Sequence, residues 1–501
     1  VCLFFYSSGY MRSLISNYWL SYSLLSVMFF LSITETGLAS RNEAEILPKN
    51  IEAVLNHRNL EPSSLSVMMI DLESDEVILS WNPDTKRTPA SVMKLFTTAS
   101  ALDILGPSYK WSTEFYVFGE IKNKILDGDL LIKGKGDPFL TTENVWKMLR
   151  RVKQKGIDEI KGDLLIDDSF FNHPNHDPAK FDNEPLRSYN VGPNALLFNF
   201  KSVRFFIDSN KINRSVTITE DPKLDNVEIV NELELIDSDC TGYQRGIRII
   251  TSKKYDKLIF RGSFPTECED FSLFRSVLSH DQFNFGLFKS TWRDLGGRFD
   301  GEWKNTVHDT ESSPFYSHDS VMLSSVVKSI NKNSNNVMSR NLLLTIAAES
   351  EDLPATEEKG RARVNEWLLQ NNFDAQSFFL DNGSGLSREA SVTVRQVTDL
   401  LKYVYRSDFM PEFISSLSIN GLDGTMSDRF ENDEISGKFH IKTGSLDHVS
   451  SLAGYMNYEG KRYAFAIIQN AEDVHKGFGE EVQEVLMRWL YSYGNKTILE
   501  N

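Results

Sequence analysis

Cysteine is scarce in this chain of 501 residues: there are three, and Cys2 lies in the apolar N-terminal segment. Cys240 and Cys268 remain in the rest of the protein. In an oxidising compartment, two such cysteines can form a disulfide that closes a modest loop. The alternative is two unrelated buried thiols, and both stay open because neither segment can be placed in space from its sequence.

An excess of positive charge is also missing. The chain has 54 Lys and Arg against 70 Asp and Glu, a formal net charge of −16 and a pI near 5.2. This balance argues against DNA or an anionic membrane surface as the main partner, so we expect no nucleic acid. The sequence offers no evident metal cluster, nucleotide-binding loop or internal repeat, and we expect neither a metal nor a cofactor. Small or zwitterionic substrates suit this composition better.

Long apolar runs are confined to the N-terminus. Residues 14–33, "LISNYWLSYSLLSVMFFLSI", carry no charge, and Gly37 and Ala39 then supply the small residues of a signal-peptidase site. We therefore predict a signal peptide over residues 1–39 and a periplasmic or otherwise extracytoplasmic protein. A retained membrane anchor is the alternative, because the run approaches the length that spans a bilayer.

The rest of the chain is too long for a single compact core, so at least two domains are expected. Alternating apolar residues predict a β-hairpin over residues 64–82 and another over 449–469. The pattern of residues 479–493 predicts a C-terminal amphipathic helix. Hairpins near both ends of the mature chain indicate one antiparallel sheet that is assembled from the two termini.

The middle of the chain has a different pattern. Between about residues 111 and 285, short strand-like runs alternate with turns rich in Gly, Asn, Asp and Pro, which predicts an inserted β-rich region. Helical patterning resumes near residue 283. We therefore predict a split domain, with a first part at 40–112, an insertion at 113–284 and a second part at 285–501.

The stretch "TPASVMKLFTTASALDIL", residues 88–105, predicts an amphipathic helix with Ser91 and Lys94 at its start. Residues three apart on a helix are neighbours on one face. A serine hydroxyl becomes a good nucleophile when a base removes its proton, and a lysine can be that base when burial or a nearby cation lowers its pKa. The motif alone is weak, because Ser91 could equally be the cap of a solvated helix.

Two further motifs follow along the chain. "MSRNLL" supplies Ser339 and Asn341 between two helical patterns, and "HIKTGS" supplies Lys442, Thr443, Gly444 and Ser445 on a short strand. Each also has an ordinary structural interpretation, as a helix cap or as an edge strand. The order Ser-x-x-Lys, Ser-x-Asn, Lys-Thr-Gly is the set found in penicillin-binding proteins and class A β-lactamases.

The long gap between the first two motifs resembles the class C low-molecular-mass penicillin-binding proteins of the penicillin-binding protein 4 type. Similar stretches are "GKGDPFL" (134–140), "GDLLIDDSFF" (162–171), "YNVGPNALLFNF" (189–200) and "DNGSGLSRE" (381–389). The resemblance implies an α/β (α+β) serine DD-peptidase/β-lactamase-like fold, in which helices flank an antiparallel sheet. It also implies a D-alanyl-D-alanine carboxypeptidase/endopeptidase that acts on peptidoglycan peptides and is acylated by β-lactams. Whether the chain forms a homodimer stays open.

The resemblance also implies residue roles. Ser91 attacks the carbonyl of the penultimate D-alanine, and Lys94 is the general base. Lys442 and Ser339 tune Lys94 and return a proton to the leaving amine, and Asn341 holds the substrate amide. The remaining implied roles are an oxyanion hole from the N–H groups of Ser91 and Ser445, and binding of the terminal carboxylate by Lys442, Thr443 and Ser445 beside Gly444.

Members of the family also recognise the diaminopimelate side chain, and the matching positions are Asp167 and Arg388. A carboxylate and a guanidinium would suit a zwitterionic group. Asp168 makes the first assignment ambiguous, and the alternatives are an ordinary turn Asp and an Arg at the entry of a helix. Asp447 departs from the neutral side chain that we expect at its position.

Two rival functions share these motifs. A class A β-lactamase needs a glutamate that activates the deacylating water, and Glu366 is the nearest candidate, although it lies within helical patterning. A catalytically inactive relative could bind cell-wall peptides without cleaving them. The intact set of motif residues argues against the second alternative.

Overall fold

The computed structural model describes residues 47–172, 176–241, 246–252, 254, 256–308, 312–350 and 353–499. The predicted signal peptide at residues 1–39, with Cys2, lies outside the described residues. Among the helices of the described part, none combines the length and the apolar character that a membrane span requires.

The described residues form helices and strands throughout. The helices are α1 (Lys49–His57), α2 (Lys94–Leu105), α3 (Thr142–Gln154), α4 (His280–Asp294), α5 (Leu323–Asn333), α6 (Asn336–Ala348), α7 (Glu357–Gln370), α8 (Val394–Tyr405), α9 (Met410–Ser416) and α10 (Phe478–Leu499). The strands are β1 (Leu65–Asp71), β2 (Val77–Trp81), β3 (Ser112–Lys122), β4 (Ile125–Gly134), β5 (Asp137–Leu140), β6 (Glu159–Ile160), β7 (Leu164–Asp167), β8 (Leu196–Phe198), β9 (Val203–Asn210), β10 (Ser215–Asp221), β11 (Glu228–Ile236), β12 (Ile247–Thr251), β13 (Lys257–Pro265), β14 (Phe271–Arg275), β15 (Arg298–Phe299), β16 (Trp303–Asn305), β17 (Tyr316–Asp319), β18 (Ser418–Ile419), β19 (Phe439–Leu446), β20 (Val449–Tyr458) and β21 (Lys461–Asn470).

The central sheet is antiparallel and follows the order β18-β19-β20-β21-β1-β2. β1 and β2 form the predicted N-terminal hairpin, and β20 and β21 form the predicted C-terminal hairpin. β1 pairs with β21 along its whole length, from Leu65 opposite Gln469 to Asp71 opposite Tyr463. The prediction of one sheet assembled from both ends of the chain is confirmed.

Successive side chains of β1 enter two different cores, because neighbouring residues of a strand point to opposite faces of the sheet. Leu65, Val67 and Met69 pack with α1 and α10, whereas Met68 and Ile70 pack with α2 and with α5 to α9. Helices therefore cover both faces of the sheet, as predicted. α2 differs from its prediction, since all its residues from Lys94 to Leu102 are buried and it is a central helix instead of an amphipathic one.

Strands β3 to β17 form one seven-stranded sheet, two three-stranded sheets and one two-stranded sheet around a core of their own, which confirms the predicted β-rich insertion. The predicted end of the insertion at residue 284 needs correction. α4 contributes Phe283, Phe288 and Trp292 to the insertion core, and β17 pairs with β3. The insertion therefore continues to Asp319. The helical pattern of α4 could not show this, because amphipathicity does not tell which core a helix faces.

Cys240 and Cys268 form a disulfide, with Cα atoms 4.8 Å apart and a sequence separation of 28 residues. The bond connects the segments that follow β11 and β13, two strands that pair in parallel. Of the two alternatives that the sequence left open, the structure shows the bonded one.

Candidate active site

Ser91 lies on a short 3-10 turn, Ala90–Met93, that leads directly into α2. Ala90 has a φ of 49°, a left-handed conformation that costs free energy for a residue with a side chain. β19 packs against the turn from the other side: a Cβ built on Gly444 would lie 2.8 Å from the backbone nitrogen of Ser91. Only glycine allows β19 to come this close to the backbone of Ser91.

Lys94 is fully buried at the start of α2. Its Nζ contacts Ser91 Oγ at 2.9 Å, Asn336 Oδ1 at 2.7 Å and the carbonyl oxygen of Ser384 at 2.5 Å. The amide and carbonyl oxygens can only accept hydrogen bonds, whereas the hydroxyl can also donate one. A neutral amine has two N–H groups and one lone pair. It can therefore donate to the oxygens of Asn336 and Ser384 and accept a hydrogen bond from Ser91. A protonated lysine would instead donate to all three oxygens, so the contacts place Nζ within reach of the Ser91 proton and the protonation state depends on the surroundings of Lys94.

The surroundings of Lys94 also favour its neutral form. Burial, followed by the positive charges of Lys442 and Arg340, lowers the pKa of Lys94 well below its usual value. Burial disfavours a charged group, and neighbouring cations disfavour a further positive charge. An unprotonated amine next to Ser91 is the form that general-base catalysis requires.

Lys442 lies on β19 and is fully buried. Its Nζ donates to Ser334 Oγ at 2.9 Å and to the carbonyl oxygen of Thr443 at 2.8 Å. Burial lowers the pKa of Lys442 to about 7. A proton on Lys442 therefore makes protonation of Lys94 less favourable, and the two lysines are suited to different protonation states.

Ser334 and Asn336 lie at the turn between α5 and α6. Ser334 ends α5 in a left-handed conformation, and Asn335 caps α6 by accepting a hydrogen bond from the N–H of Met338. This turn directs Ser334 to Lys442 and Asn336 to Lys94. The Ser-x-Asn element that completes the site is therefore Ser334–Asn336.

The expectation for Ser339 and Asn341 is corrected by this geometry. Both residues are fully buried inside α6. Ser339 Oγ donates to the carbonyl oxygen of Gly383 at 2.8 Å, and Asn341 Nδ2 donates to the carbonyl oxygen of Asn194 at 2.9 Å. Ser339 thus holds the segment before Ser384, and Asn341 holds the insertion. The sequence pattern that could have identified Ser334 and Asn336 is "NSNN" (333–336). It lies at the boundary between two helical patterns, where a turn can direct side chains into a site.

Three predicted binding residues lie along β19, beside Ser91. Thr443 Oγ1 donates to Thr425 Oγ1 at 2.8 Å. Ser445 is exposed and pairs with Ser450 of β20, and Gly444 makes the close approach to Ser91 described above. β19 therefore forms one wall beside the nucleophile, while the roles of Thr443 and Ser445 in carboxylate binding stay predictions.

Arg388 and Asp447 contact each other at the rim of the site. Arg388 Nη1 donates to the carbonyl oxygen of Asp447 at 3.0 Å, and Nη2 lies 3.4 Å from Asp447 Oδ2. The Arg388 guanidinium also lies over the ring of Phe181, 4.8 Å from its centre. The side chain of Arg388 is 47% exposed, so it is accessible, and its role in substrate recognition stays a prediction.

Asp167 is placed where it cannot contact a substrate, which corrects the second expectation for diaminopimelate. Its side chain has no exposed surface and forms an ion pair with Lys133 at 3.3 Å. It also accepts hydrogen bonds from Ser169 and from the N–H of His308. These partners satisfy both carboxylate oxygens inside the insertion.

Within the described residues, one set of side chains has metal-ligand chemistry: His448, Asp473 and His475, with ligand atoms within 4.8 Å of one another. His448 Nδ1 accepts a hydrogen bond from the N–H of Asp473, and His475 Nδ1 accepts one from the N–H of His448. In each of these two imidazoles, Nδ1 is therefore already engaged in a hydrogen bond with the backbone.

The β-lactamase candidate Glu366 lies on α7 with its side chain 57% exposed. Its carboxylate contacts Arg363 and Gln370 of the same helix. These contacts place it on the solvent side of α7, where it has the role of an ordinary surface residue.

Known proteins are similar to this chain over most of its length. The D-alanyl-D-alanine carboxypeptidase DacB of Haemophilus influenzae is 25% identical over 409 residues, which cover 81% of this chain and 85% of that protein. The D-alanyl-D-alanine carboxypeptidase of Actinomadura sp. strain R39 is 26% identical over 444 residues, 85% of this chain and 81% of that protein.

The fold matches penicillin binding protein 4 from Haemophilus influenzae with a TM-score of 0.75 and 24% identity, covering 88% of this chain and 99% of that one. The same protein complexed with a novel β-lactam matches with a TM-score of 0.70, at the same identity and coverage. The model of the D-Ala-D-Ala carboxypeptidase 3 (S13) family matches residues 47–492. The chain therefore belongs to the D-Ala-D-Ala carboxypeptidase 3 (S13) family, which confirms the predicted type of enzyme, a serine DD-peptidase.

Proposed function

We propose that Ser91 cleaves the D-alanyl-D-alanine bond of peptidoglycan stem peptides and the related bond of their cross-links through an acyl-enzyme. The observation that carries this proposal is the set of three oxygen partners around Lys94 Nζ. This set holds Nζ 2.9 Å from Ser91 Oγ, where a neutral amine accepts the hydroxyl proton, the arrangement that activates a serine nucleophile.

In the first step, Ser91 Oγ bonds to the carbonyl carbon of the penultimate D-alanine as Lys94 Nζ takes the hydroxyl proton. Collapse of the tetrahedral intermediate breaks the C–N bond, and the leaving amine receives a proton from Lys94 through the cluster of Ser334 and Lys442. Water then attacks the ester and gives a proton to Lys94, and Lys94 passes this proton to Ser91 Oγ as the ester bond breaks and the peptide acid is released. Both steps use the same base and return the enzyme to its starting state.

Substrate binding uses the groups around this centre. The N–H groups of Ser91 and Ser445 stabilise the oxyanion, a task that suits backbone donors held in fixed positions. Lys442, with Thr443 and Ser445, attracts the terminal carboxylate. Asn336 holds Lys94 through Oδ1 and donates one N–H of Nδ2 to the carbonyl oxygen of Tyr189, so its second N–H is the group that can contact the substrate amide.

Acylation by β-lactams follows from the same chemistry, because the lactam carbonyl takes the place of the peptide carbonyl. The complex of the related penicillin binding protein 4 with a β-lactam supports this proposal. The exposed position of Glu366 gives no support to the rival β-lactamase function. The complete set of lysine contacts likewise disfavours an inactive binding protein.

We further propose that the protein is exported and works outside the cytoplasm, as the apolar run at residues 14–33 predicts. The disulfide between Cys240 and Cys268 supports an oxidising compartment.

The test compares the natural chain with Ser91→Ala. We expect a labelled penicillin to attach covalently to the natural chain and mass spectrometry to detect loss of D-alanine from a stem pentapeptide. A muropeptide dimer tests cleavage of cross-links in the same assay. Both activities should disappear in Ser91→Ala, while circular dichroism remains unchanged. Labelling that survives the substitution would exclude Ser91 as the nucleophile, and rapid release of hydrolysed penicillin would favour the β-lactamase.

A further inference from the structure

Thr425 is an exposed residue that contacts β19 beside the catalytic centre without belonging to that strand. It lies in the short 3-10 turn Gly424–Met426, and its Oγ1 is 2.8 Å from Oγ1 of Thr443. β18 pairs with β19 at His440 and Ile441. Two residues later, at Thr443, the turn takes the place beside β19. The hydroxyl predicted to bind the substrate carboxylate therefore has a second hydroxyl next to it.

Buried Ser418 holds this turn in place. Its Oγ accepts the backbone N–H of Thr425 at 3.2 Å and lies 3.3 Å from Thr425 Oγ1. The same Oγ is 3.4 Å from the carbonyl oxygen of Lys332. Gly424 has a φ of 63°, and a Cβ built on it would lie 2.9 Å from that carbonyl oxygen, so only glycine fits here. These contacts fix the position from which Thr425 meets Thr443.

The hydroxyls of Ser418, Thr425 and Thr443 form a chain whose hydrogen bonds can run in either direction, because a hydroxyl donates one bond and accepts up to two. When Ser418 donates to the carbonyl oxygen of Lys332, each hydroxyl donates to the next one toward Lys332. The proton of Thr443 then points to Thr425. When Ser418 donates to Thr425 instead, the order reverses and Thr443 accepts from Thr425. In this second order the proton of Thr443 is free for a carboxylate, which can only accept.

On this geometry, and resting on the proposed function, we propose that Thr425 is a positioning residue that orients the Thr443 hydroxyl toward the terminal carboxylate of the substrate. The carboxylate accepts the proton of Thr443, and Thr443 in turn accepts a hydrogen bond from Thr425. Hydrogen bonds in such a chain polarise one another, which strengthens the contact with a charged acceptor. Because the turn already holds Thr425 in place, less conformational freedom is lost when the substrate binds.

A direct contact between the exposed Thr425 hydroxyl and the carboxylate would make a different prediction. Such a contact contributes to binding whether or not residue 443 carries a hydroxyl. A contribution that passes through Thr443 disappears when Thr443 is replaced by valine, which has a similar shape and lacks the hydroxyl. Comparing the single substitutions with the double substitution therefore separates the two roles.

The test measures kcat/KM for a stem pentapeptide that ends in a carboxylate and for the same peptide with a C-terminal amide. We expect Thr425→Val to lower the acid-to-amide ratio of kcat/KM about 2- to 10-fold, the effect of one hydrogen bond, with unchanged circular dichroism. Thr425→Ser keeps the hydroxyl and should keep most of the ratio. Thr443→Val should lower the ratio by itself, and adding Thr425→Val to it should change the ratio no further.

Ser427→Ala is the matched control, because Ser427 lies two residues after Thr425 and its hydroxyl donates to Asp428 Oδ1 at 2.9 Å. It should keep the acid-to-amide ratio of the natural chain. An unchanged ratio in Thr425→Val, or an equal further fall when Thr425→Val is added to Thr443→Val, would overturn the proposal. Penicillin labelling tests the proposed function separately. A natural chain that takes up no penicillin would refute that function and this proposal together, whereas normal labelling with an unchanged ratio would refute only the positioning role.

Discussion

Lys442 Nζ lies 2.9 Å from Ser334 Oγ, and this contact joins the central sheet to the turn between α5 and α6. Two residues later, the same turn contacts Lys94 through Asn336 at 2.7 Å. One short turn therefore holds both buried lysines, one from β19 and one from α2. The separation of the two lysine side chains, and with it the lowered pKa of Lys94, depends on the conformation of this turn.

Ser334→Ala and Ser339→Ala form a matched pair that tests this assignment. Ser334→Ala removes a hydrogen bond to a charged group, which contributes about 1.5–3 kcal/mol, so penicillin acylation should slow by about one to two powers of ten. Ser339→Ala removes only the bond to Gly383, whose carbonyl oxygen also accepts from Thr97. It should cost about 0.5–1.5 kcal/mol of stability, with acylation nearly unchanged. Stopped-flow labelling measures both acylation rates. Slower acylation in Ser339→Ala than in Ser334→Ala would assign the contact with Lys442 in the reaction to Ser339 instead of Ser334.

The pKa of Lys442 predicts how stability varies with pH. In the folded protein this pKa is about 7, below the value of roughly 10.4 for an unfolded lysine. The unfolded state therefore binds more protons between these values, and the free energy of unfolding should rise with pH across the window. Lys442→Met should show a flatter rise, measured by urea denaturation at several pH values from 6 to 10.

Lys476→Met is the control for that experiment, since Lys476 has a side chain that is 59% exposed and pairs with Asp473 on the surface. It should keep the slope of the natural protein. Equal slopes for Lys442→Met and the natural chain would mean that Lys442 does not lose its proton near neutral pH in the folded state.

The sequence predicted the parts of the molecule that local patterns determine. Alternating apolar residues identified both terminal hairpins, and the pattern around Ser91 and Lys94 identified a helix, α2, which begins at Lys94. The sequence alone could not show which of two Ser-x-Asn matches, Ser334–Asn336 or Ser339–Asn341, belongs to the site. The answer depends on which match lies in a turn and which lies inside α6. The burial of Asp167 depends on Lys133 of a neighbouring strand, a tertiary contact that no local pattern reveals.

The disulfide should stabilise the insertion without contributing to the acylation reaction. Cys240 and Cys268 close a loop of 28 residues, for which loop entropy gives roughly 3–4 kcal/mol. Replacing both cysteines by serine should make the segment around β11 and β13 more sensitive to proteases, while penicillin acylation changes little because the bond lies within the insertion. Limited proteolysis with mass spectrometry locates the cuts. Identical cleavage of both proteins would show that the bond is dispensable there.

Arg388 and Asp447 should have opposite effects on recognition of the diaminopimelate side chain. In the free enzyme, Asp447 already contacts Arg388, and a substrate carboxylate must compete with it. Arg388→Ala should reduce kcat/KM for a diaminopimelate peptide by about one to two powers of ten, from the loss of a contact worth about 1.5–3 kcal/mol. Asp447→Asn should raise kcat/KM for the same peptide, because it removes the competing carboxylate.

Salt provides an independent check of this last prediction. The Arg388 and Asp447 side chains are 47% and 65% exposed, so their charges are screened by ions in solution. The gain in Asp447→Asn should therefore shrink as ionic strength rises. Acylation by a simple penicillin, which lacks the diaminopimelate side chain, should respond much less than the peptide reaction in both variants. Equal losses for peptide and penicillin in Arg388→Ala would mean that Arg388 supports the structure of the site, and an unchanged peptide reaction would mean that other residues recognise the side chain.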